Sequence, residues 1–331
     1  MQEKTLHYDW IDAAKGLGII FVVLGHAIAD TTQNVQFFGK LFQIIYSFHM
    51  PLFFFLSGFC GIKALQKRKL HEEEAYILER FKRLMVPYFF VGICYIPIKL
   101  LMADYVTKRV DIRYIVLGFL GGDNPNSQLW TLYVLFLDAF FLCVMSNAGK
   151  FSSCIAFLLS LIMAISSVFV NNAFLRNFMF ETLFYILGAL FRKNLPVASG
   201  KIHFDNHQPL IIIGGGLLIA LNMCMNIDGK NIFKILTAIL GIMVVYGAAH
   251  ILENNKLLKE LGEYSMDIYI MANIFQVFVR VVFLNKLGVN VFICMTVSFL
   301  AGILFPLVIS KNVVRKISLT NKLVLGVFEK S

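Results

Sequence analysis

Residues 10–30 read WIDAAKGLGIIFVVLGHAIAD, an apolar run interrupted by Asp12, Lys15 and His26. The run is long enough to cross roughly 30 Å of hydrocarbon as a helix. Ionisable groups are costly at that depth, so those that occur face a bundle interior, a cavity or one another. Their spacing here is ordered. Lys15 and His26 stand eleven residues apart, and eleven steps of about 100° return to within about 20° of the same helix face. At a rise of about 1.5 Å per residue, about 16 Å of axis separates them. Asp12 lies one turn before Lys15 and within its reach. One face of this span therefore carries a cation near one end and an imidazole deep inside.

The same apolar character runs through the chain. Of its 331 residues, 58% are hydrophobic and only 15% charged, with 33 Phe and a mean hydropathy of +0.74. A soluble domain is about half apolar and about a quarter charged. Membrane-length runs recur at 13–30, 41–62, 86–103, 129–147, 152–171, 178–191, 208–226, 232–252, 264–284 and 290–310, which predicts an all-α polytopic bundle of about ten transmembrane helices. Residues 114–121 are apolar but too short to span, and read as a re-entrant or surface segment. Ala27-Ile28-Ala29 has the look of a leader-peptide cleavage site, but His26 interrupts the apolar stretch and nine further spans follow, so residues 13–30 are read as a span. No internal repeat and no Pro/Gly/Ser-rich linker divides the chain. The expected organisation is one membrane domain over 1–310 and a short basic tail over 311–331.

Charge sets the expected orientation. With the N-terminus inside, the internal segments are 1–15, 63–83, 148–151, 192–207, 253–261 and 311–331, and they hold 20 of the 30 Lys and Arg. This is the bias of cytoplasmic loops, with both termini cytoplasmic. The net charge of +10 then reflects topology and anionic membrane lipids. Nucleic acid is not an expected partner, because the basic residues form no stripe with stacking aromatics.

The second span adds a second histidine. FHMPLFFFLSGF (48–59) places His49 two residues before Pro51, which frees a backbone carbonyl beside it. Ser57, Gly58 and Gly61 offer a small-residue face for close packing. The connection between the first two spans is short, which makes them antiparallel neighbours and brings His26 and His49 to similar depth.

These stretches, with RFKRLMVPYF (80–89), LWTLYVLF (129–136) and LGEYSMDIYIM (261–271), resemble the membrane acyltransferase-3 family, most closely its fucose 4-O-acetylase-like sugar O-acetyltransferase branch. The resemblance runs over nearly the whole chain. Two departures stand out: Lys15 replaces an Arg common in the family, and Ala272 stands where the ninth-span motif often ends in His. The resemblance implies acyl transfer, with acetyl-CoA as donor, from the cytoplasmic side to a hydroxyl of a cell-surface glycan or lipid-linked sugar. It implies a multi-pass protein of the bacterial inner membrane that needs no metal. The residues suit such chemistry. A sugar hydroxyl needs a base of near-neutral pKa, for which His26 is the leading candidate. His49 is the candidate to orient the acceptor or stabilise the oxyanion. Lys15, Arg80, Lys82 and Arg83 are candidates to hold the donor's phosphates. Asp12 and Trp130 are candidate substrate contacts, although a Trp at a span end also serves as an interfacial anchor. Val86-Pro87 reads as the entry to the third span.

Other features suggest less. HFDNH (203–207) has metal-like spacing but no further ligands near it. HEEE (71–74) reads as a solvated helix start, and GGG (214–216) as helix packing. The six cysteines all fall in apolar spans without metal-like spacing, and read as buried apolar side chains. Asp138, Glu181, Asp267 and Arg280 lie in or near spans, each open to lining a cavity, pairing or sitting at an interface. The competing function is a transporter or flippase that uses the intramembrane histidines. It lacks the repeat symmetry common to that class.

Overall fold

The computed structural model describes residues 8–66, 73–101, 118–122, 124–146, 152–194, 207–225 and 232–328, and these contain helices and no strand. In chain order, α1 spans Asp9–Thr31, α2 Gln36–Gln66, α3 Glu73–Leu101 and α4 Trp130–Ser146. Then α5 spans Ser152–Ser166, α6 Ala173–Lys193, α7 Gln208–Cys224 and α8 Phe233–Ile251. The chain ends with α9 (Lys256–Glu263), α10 (Ser265–Val279), α11 (Val291–Ile309) and α12 (Ser318–Leu325). Among the described residues, nine helical segments are long and apolar enough to cross a membrane, and the 17-residue α7 occupies the remaining expected position. The protein is a polytopic helical membrane protein.

Several helices extend beyond the apolar runs that mark them. The third begins at Glu73, so Pro87 lies in its interior and does not open it as the sequence suggested. Residues 73–83 are strong helix formers with Glu73 and Glu74 in the first turn, where carboxylates suit the helix dipole. Hydropathy registers only the apolar part of such a helix. Inside α3, Pro87 leaves the Arg83 carbonyl without its usual donor. The left-handed Gly326, at φ 64° after α12, packs against the backbone of Lys82 and Arg83 at this point. Arg83 Nη1 in turn donates to the Leu325 carbonyl. The segment after 310 is thus folded onto α3, with residues 329–331 outside the described set.

Two ends of the bundle are defined by packing. At one end, Trp10 at the start of α1 meets Phe59 of α2 and His250 of α8, at ring separations of 5.3 and 5.4 Å. Arg192 at the end of α6 lies 4.3 Å over the Tyr8 ring. This basic end is the cytoplasmic one in the expected topology. At the distal end, Arg280 pairs with Asp30 at 2.7 Å, and Lys40 donates to the Asn222 carbonyl at 3.4 Å. The first pair places Arg280 among the partnered charges.

Glycines permit the closest helix contacts. Any Cβ on Gly16 would strike the Leu258 carbonyl, and one on Gly262 the Asp12 carbonyl, so α1 and α9 meet backbone to backbone. Gly58 packs on the Tyr185 backbone and Gly61 beneath the Tyr185 hydroxyl, so the small-residue face expected on α2 is in use. The short apolar segment is also placed in part. Residues 118–120 are helical, Tyr88 Oη donates to the Phe119 carbonyl at 2.9 Å, and Asn124 Nδ2 donates to the Tyr88 carbonyl at 2.8 Å. Tyr88 lies midway along α3, so Phe119 and Asn124 pack against the middle of that helix. Residues 114–117 lie outside the described set. None of the six cysteines is bridged; Cys143 and Cys294 are buried, whereas Cys60, Cys94, Cys154 and Cys224 are exposed, contrary to the sequence expectation.

The α1–α9 contact yields a stability test. Gly262→Ala adds a methyl with no room beside Asp12, and overpacking of this kind costs about 1–3 kcal/mol. Thermal unfolding of the detergent-solubilised protein is expected to shift down. Gly216→Ala, where nothing lies within 4 Å, is expected to leave it level or slightly raised.

Candidate active site

A cavity of about 850 Å³ opens among the charged residues of the basic end. Asp12 and Lys15 of α1, Arg80 and Arg83 of α3, and Lys256, Lys259, Glu260 and Glu263 of α9 line it. Farther in, its wall is Met50 and Phe53 of α2, Thr131 of α4 and Tyr269 of α10. Thr131 lies 15 residues from the basic end of α4, which corresponds to about 22 Å of helix. The cavity therefore leads from a charged mouth to the level at which α4 begins. Its volume falls within the usual range of about 300–1,000 Å³ for small-molecule sites.

The mouth carries more cation than its lining count suggests. Lys15 pairs with Asp12 at 3.7 Å. Glu260 is paired with Lys311, and Glu263 with Arg315 at 2.7 Å. Both acidic groups of α9 are thus neutralised by residues that follow α11. Arg315 also holds Asp267 at 2.8 Å, a carboxylate only 1% exposed that accepts from Ser310 Oγ as well. This clamp ties α9 and α10 to the end of α11 and fixes the α9 wall of the cavity. Asp267 is accordingly a structural ion-pair member.

Past the inner wall lie the two histidines. His26 Nδ1 is 3.2 Å from Tyr46 Oη, and the Tyr46 ring lies 4.6 Å from that of His49. Tyr46 therefore joins the imidazoles of α1 and α2, as their antiparallel pairing suggested. His49 Nδ1 is 2.9 Å from the Ile45 carbonyl. A carbonyl only accepts, so Nδ1 carries the proton and, in the neutral ring, Nε2 holds the free lone pair. Neither histidine lines the large cavity, but His49 directly precedes Met50, which does.

Some residues singled out in the sequence do not share this site. Lys82 is directed at the Phe328 ring, 5.5 Å away, and is not among the cavity-lining residues. The helix explains the split: Arg80 and Arg83 are three residues apart and share a face, while Lys82 lies about 100° away from Arg83. Trp130 stacks on Phe54 at 6.1 Å and lines a second, distal cavity. Asp138 accepts from Thr182 Oγ1 at 2.7 Å, whereas Asp138 Oδ2 and Glu181 Oε2 are buried without a hydrogen-bond partner among the described residues. Of HFDNH, only His207 is described, stacked on His250 at 4.5 Å; residues 203–206, like His71 and Glu72, lie outside the described set.

Sequence reading overlooked Tyr46, Lys256, Lys259, Thr131 and Tyr269. Tyr46 was recoverable, since it precedes His49 by three residues and so shares its helix face. Thr131 Oγ1 and Tyr269 Oη meet across a separation of 138 residues, a pairing with no local signal.

A family model of an acyltransferase domain, acyltransferase 3, matches residues 8–310. The chain belongs to the acyltransferase-3 family. Comparison with curated proteins and with solved structures finds no match. The match supports an acyltransferase and gives no support to the transporter or flippase reading, and it covers both the cavity and the paired histidines.

The clamp in this acyltransferase is directly testable. Arg315→Ala leaves the Asp267 carboxylate buried without its cation, a change worth about 3 kcal/mol at a pair of this burial. Its melting temperature in detergent is expected to fall markedly. Arg315→Lys, which keeps the charge and loses the fork, is expected to recover part of that loss.

Proposed function

We propose that the protein transfers an acetyl group from acetyl-CoA, entering from the cytoplasm, to a hydroxyl of a cell-surface glycan or its lipid-linked precursor. The observation that carries this reading is the course of α1. One unbroken helix puts Lys15 in the cationic mouth and His26 about 16 Å farther along the same face. A donor with phosphates at one end and a thioester at the end of a long arm matches that separation. Lys15, Arg80 and Arg83, with Lys256 and Lys259, supply the anion-binding charges. The cytoplasmic position of this mouth follows from the Lys/Arg bias of the loops, and suits an inner-membrane enzyme.

In the proposed chemistry, His26 Nε2 removes the hydroxyl proton while the oxygen attacks the thioester carbonyl. The tetrahedral intermediate collapses with cleavage of the C–S bond, and the departing thiolate takes up the proton. For Nε2 to act as base, Nδ1 must carry the ring proton and donate to Tyr46 Oη, the contact observed at 3.2 Å. Tyr46 then plays the orienting part. His49 has committed its Nδ1–H to Ile45. As a neutral ring it retains an acceptor and no donor, which favours orienting the acceptor hydroxyl over stabilising an oxyanion. No residue in this scheme requires a metal.

Two variants test the division of labour. Lys15→Ala is expected to raise the KM for acetyl-CoA more than it lowers kcat, because phosphate grip far from the thioester is largely uniform binding. Lys15→Arg is expected to be tolerated. An unchanged donor KM in Lys15→Ala returns this residue to a flanking role.

His26→Ala is expected to lower kcat by about 10²–10⁴-fold, the usual worth of a general base, while acetyl-CoA still binds. Turnover is read as thiol release in the presence of acceptor, with insertion checked by gel filtration in detergent. A folded His26→Ala protein that keeps more than about a tenth of wild-type turnover transfers the role of base to His49.

A further inference from the structure

The distal end of the bundle holds a second cavity, of about 350 Å³, that the chemistry above does not use. It is bounded by Gly121, Gly122 and Ser127 ahead of α4, by Trp130 at the start of α4, and by the beginning of α6. We propose that this cavity is the acceptor subsite and that it holds one neutral sugar unit of the glycan. The proposal rests on the glycan-transfer reading and names the place where that substrate is held.

The lining specifies the ligand class. Its described lining contains no charged side chain, so none of these residues offers a counter-charge to phosphate or carboxylate. It does contain two amides, Asn172 and Asn177, and the Ser127 hydroxyl, groups that both donate and accept as sugar hydroxyls do. The Asn172 side-chain oxygen already caps α6 by accepting from the Leu175 N–H at 2.9 Å. The Asn177 side chain makes no hydrogen bond among the described residues and offers its whole amide. Trp130 supplies an apolar platform. Phe54 stacks against its ring, at 6.1 Å and 21° between planes, so one face is occupied by the protein. The cavity is near the lower limit for small-molecule sites, which suits a single ring better than a chain.

Its position joins it to the donor site. Trp130 lines the small cavity, and the next residue, Thr131, lines the large one. The two cavities thus meet the start of α4 at adjacent residues. The chain entering α4 is held to α10 by hydrogen bonds: Asn273 Nδ2 to Asn126 Oδ1 at 3.2 Å, Tyr269 Oη to the Gln128 carbonyl, and Thr131 with Tyr269. The mouth of the donor cavity and this pocket face opposite ends of the bundle. A transfer from an inside donor to an outside glycan requires that arrangement. The pocket's shape is also built in. Gly122 adopts φ 79°, and any Cβ there would run into the Phe174 ring, so loop and α6 close together only with glycine at this position.

The test uses two readouts on the full-length protein in detergent. Acceptor-stimulated thiol release from acetyl-CoA is measured with a panel of methyl pyranosides, neutral and 6-phosphorylated. A Trp10→Phe background leaves Trp130 as the sole tryptophan, since the chain has 2, and its fluorescence reports binding directly. At least one neutral glycoside is expected to give a saturable Trp130 signal and to stimulate release, with its phosphorylated form much weaker. Asn177→Ala is expected to raise the glycoside KM by about 5–10-fold, the value of one or two neutral hydrogen bonds, with the acetyl-CoA KM unmoved. Stimulation by a glycoside whose KM is unchanged in both Asn177→Ala and Trp130→Phe overturns the subsite while leaving glycan transfer standing. Stimulation by none of the glycosides, together with a silent Trp130, overturns the subsite and removes the support for a sugar acceptor.

Discussion

The contact on which the site depends is the meeting of α1 with the short amphipathic helix α9, backbone against backbone, through Gly16 and Gly262. Hydrophobic burial gives helices little reason to associate in lipid, so close packing and interhelical hydrogen bonds must supply the attraction. Glycine on both partners lets the axes approach to a distance that no side chain permits. The consequence is chemical as well as mechanical. Lys15 stands next to Gly16, and Lys256 and Lys259 lie on the helix that Gly262 ends, so one contact gathers cations from two distant parts of the chain around one mouth. Lys259 also reaches Asp9 at 3.2 Å, which pins the start of α1 to the same helix.

Gathering cations in this way raises repulsion, and the carboxylates of α9 stand ready to cancel it. The segment after α11 prevents that cancellation. Lys311 and Arg315 occupy Glu260 and Glu263, so the acidic side chains are satisfied from behind. The cations facing the cavity then contend only with Asp12 and Asp9 of α1, which meet Lys15 and Lys259, and not with the α9 carboxylates. Arg83 is held in a comparable way, by the Leu325 carbonyl, a neutral partner that positions it without consuming its charge. The part of the chain expected as a basic tail therefore tunes the cavity, and its basic residues act as counter-ions more than as membrane anchors.

Most of the fold was legible because the bilayer imposes one rule, that a spanning helix must be apolar for about 20 residues. Nine of the ten expected positions followed from that rule among the described residues, and the ends of α2 and α3 did not, because the polar ends of a helix follow propensity and capping. Pro87 shows the cost of reading the two signals as one. The site was legible where it is local: Asp12, Lys15 and His26 lie on one helix, Arg80 and Arg83 on another, and helical geometry relates each set. It was illegible where it is tertiary. Nothing near residue 131 announces Tyr269, and nothing near Trp130 shows that Phe54 covers its ring. Lys82 illustrates the intermediate case, since its 100° offset from Arg83 was available in the sequence but a basic cluster reads as one unit until the helix is drawn.

The polar groups left over after helix packing fall into two kinds, and the difference bears on how such a bundle carries out chemistry. Asp267 and Asp30 have arginine partners and hold helices together. The His26–Tyr46–His49 group is held by hydrogen bonds that neutralise no charge, and the one from His49 Nδ1 to Ile45 sets the tautomer of that ring. A paired carboxylate is committed in the folded state, and to break the pair is to lose stability. A neutral imidazole with one nitrogen tethered keeps the other free, and can gain and lose a proton while its tether persists. That is the property a base needs in a site where water is scarce and reorganisation is slow. The Ile45 carbonyl provides it for His49 at no cost in charge, because a helix interior always carries a carbonyl four residues back. Tyr46 can provide it for His26 only while its own hydroxyl proton points elsewhere. The two histidines are thus unequal in one respect that sequence alone does not reveal: His49 is locked in its tautomer by the backbone, and His26 is adjustable through a side chain that both donates and accepts.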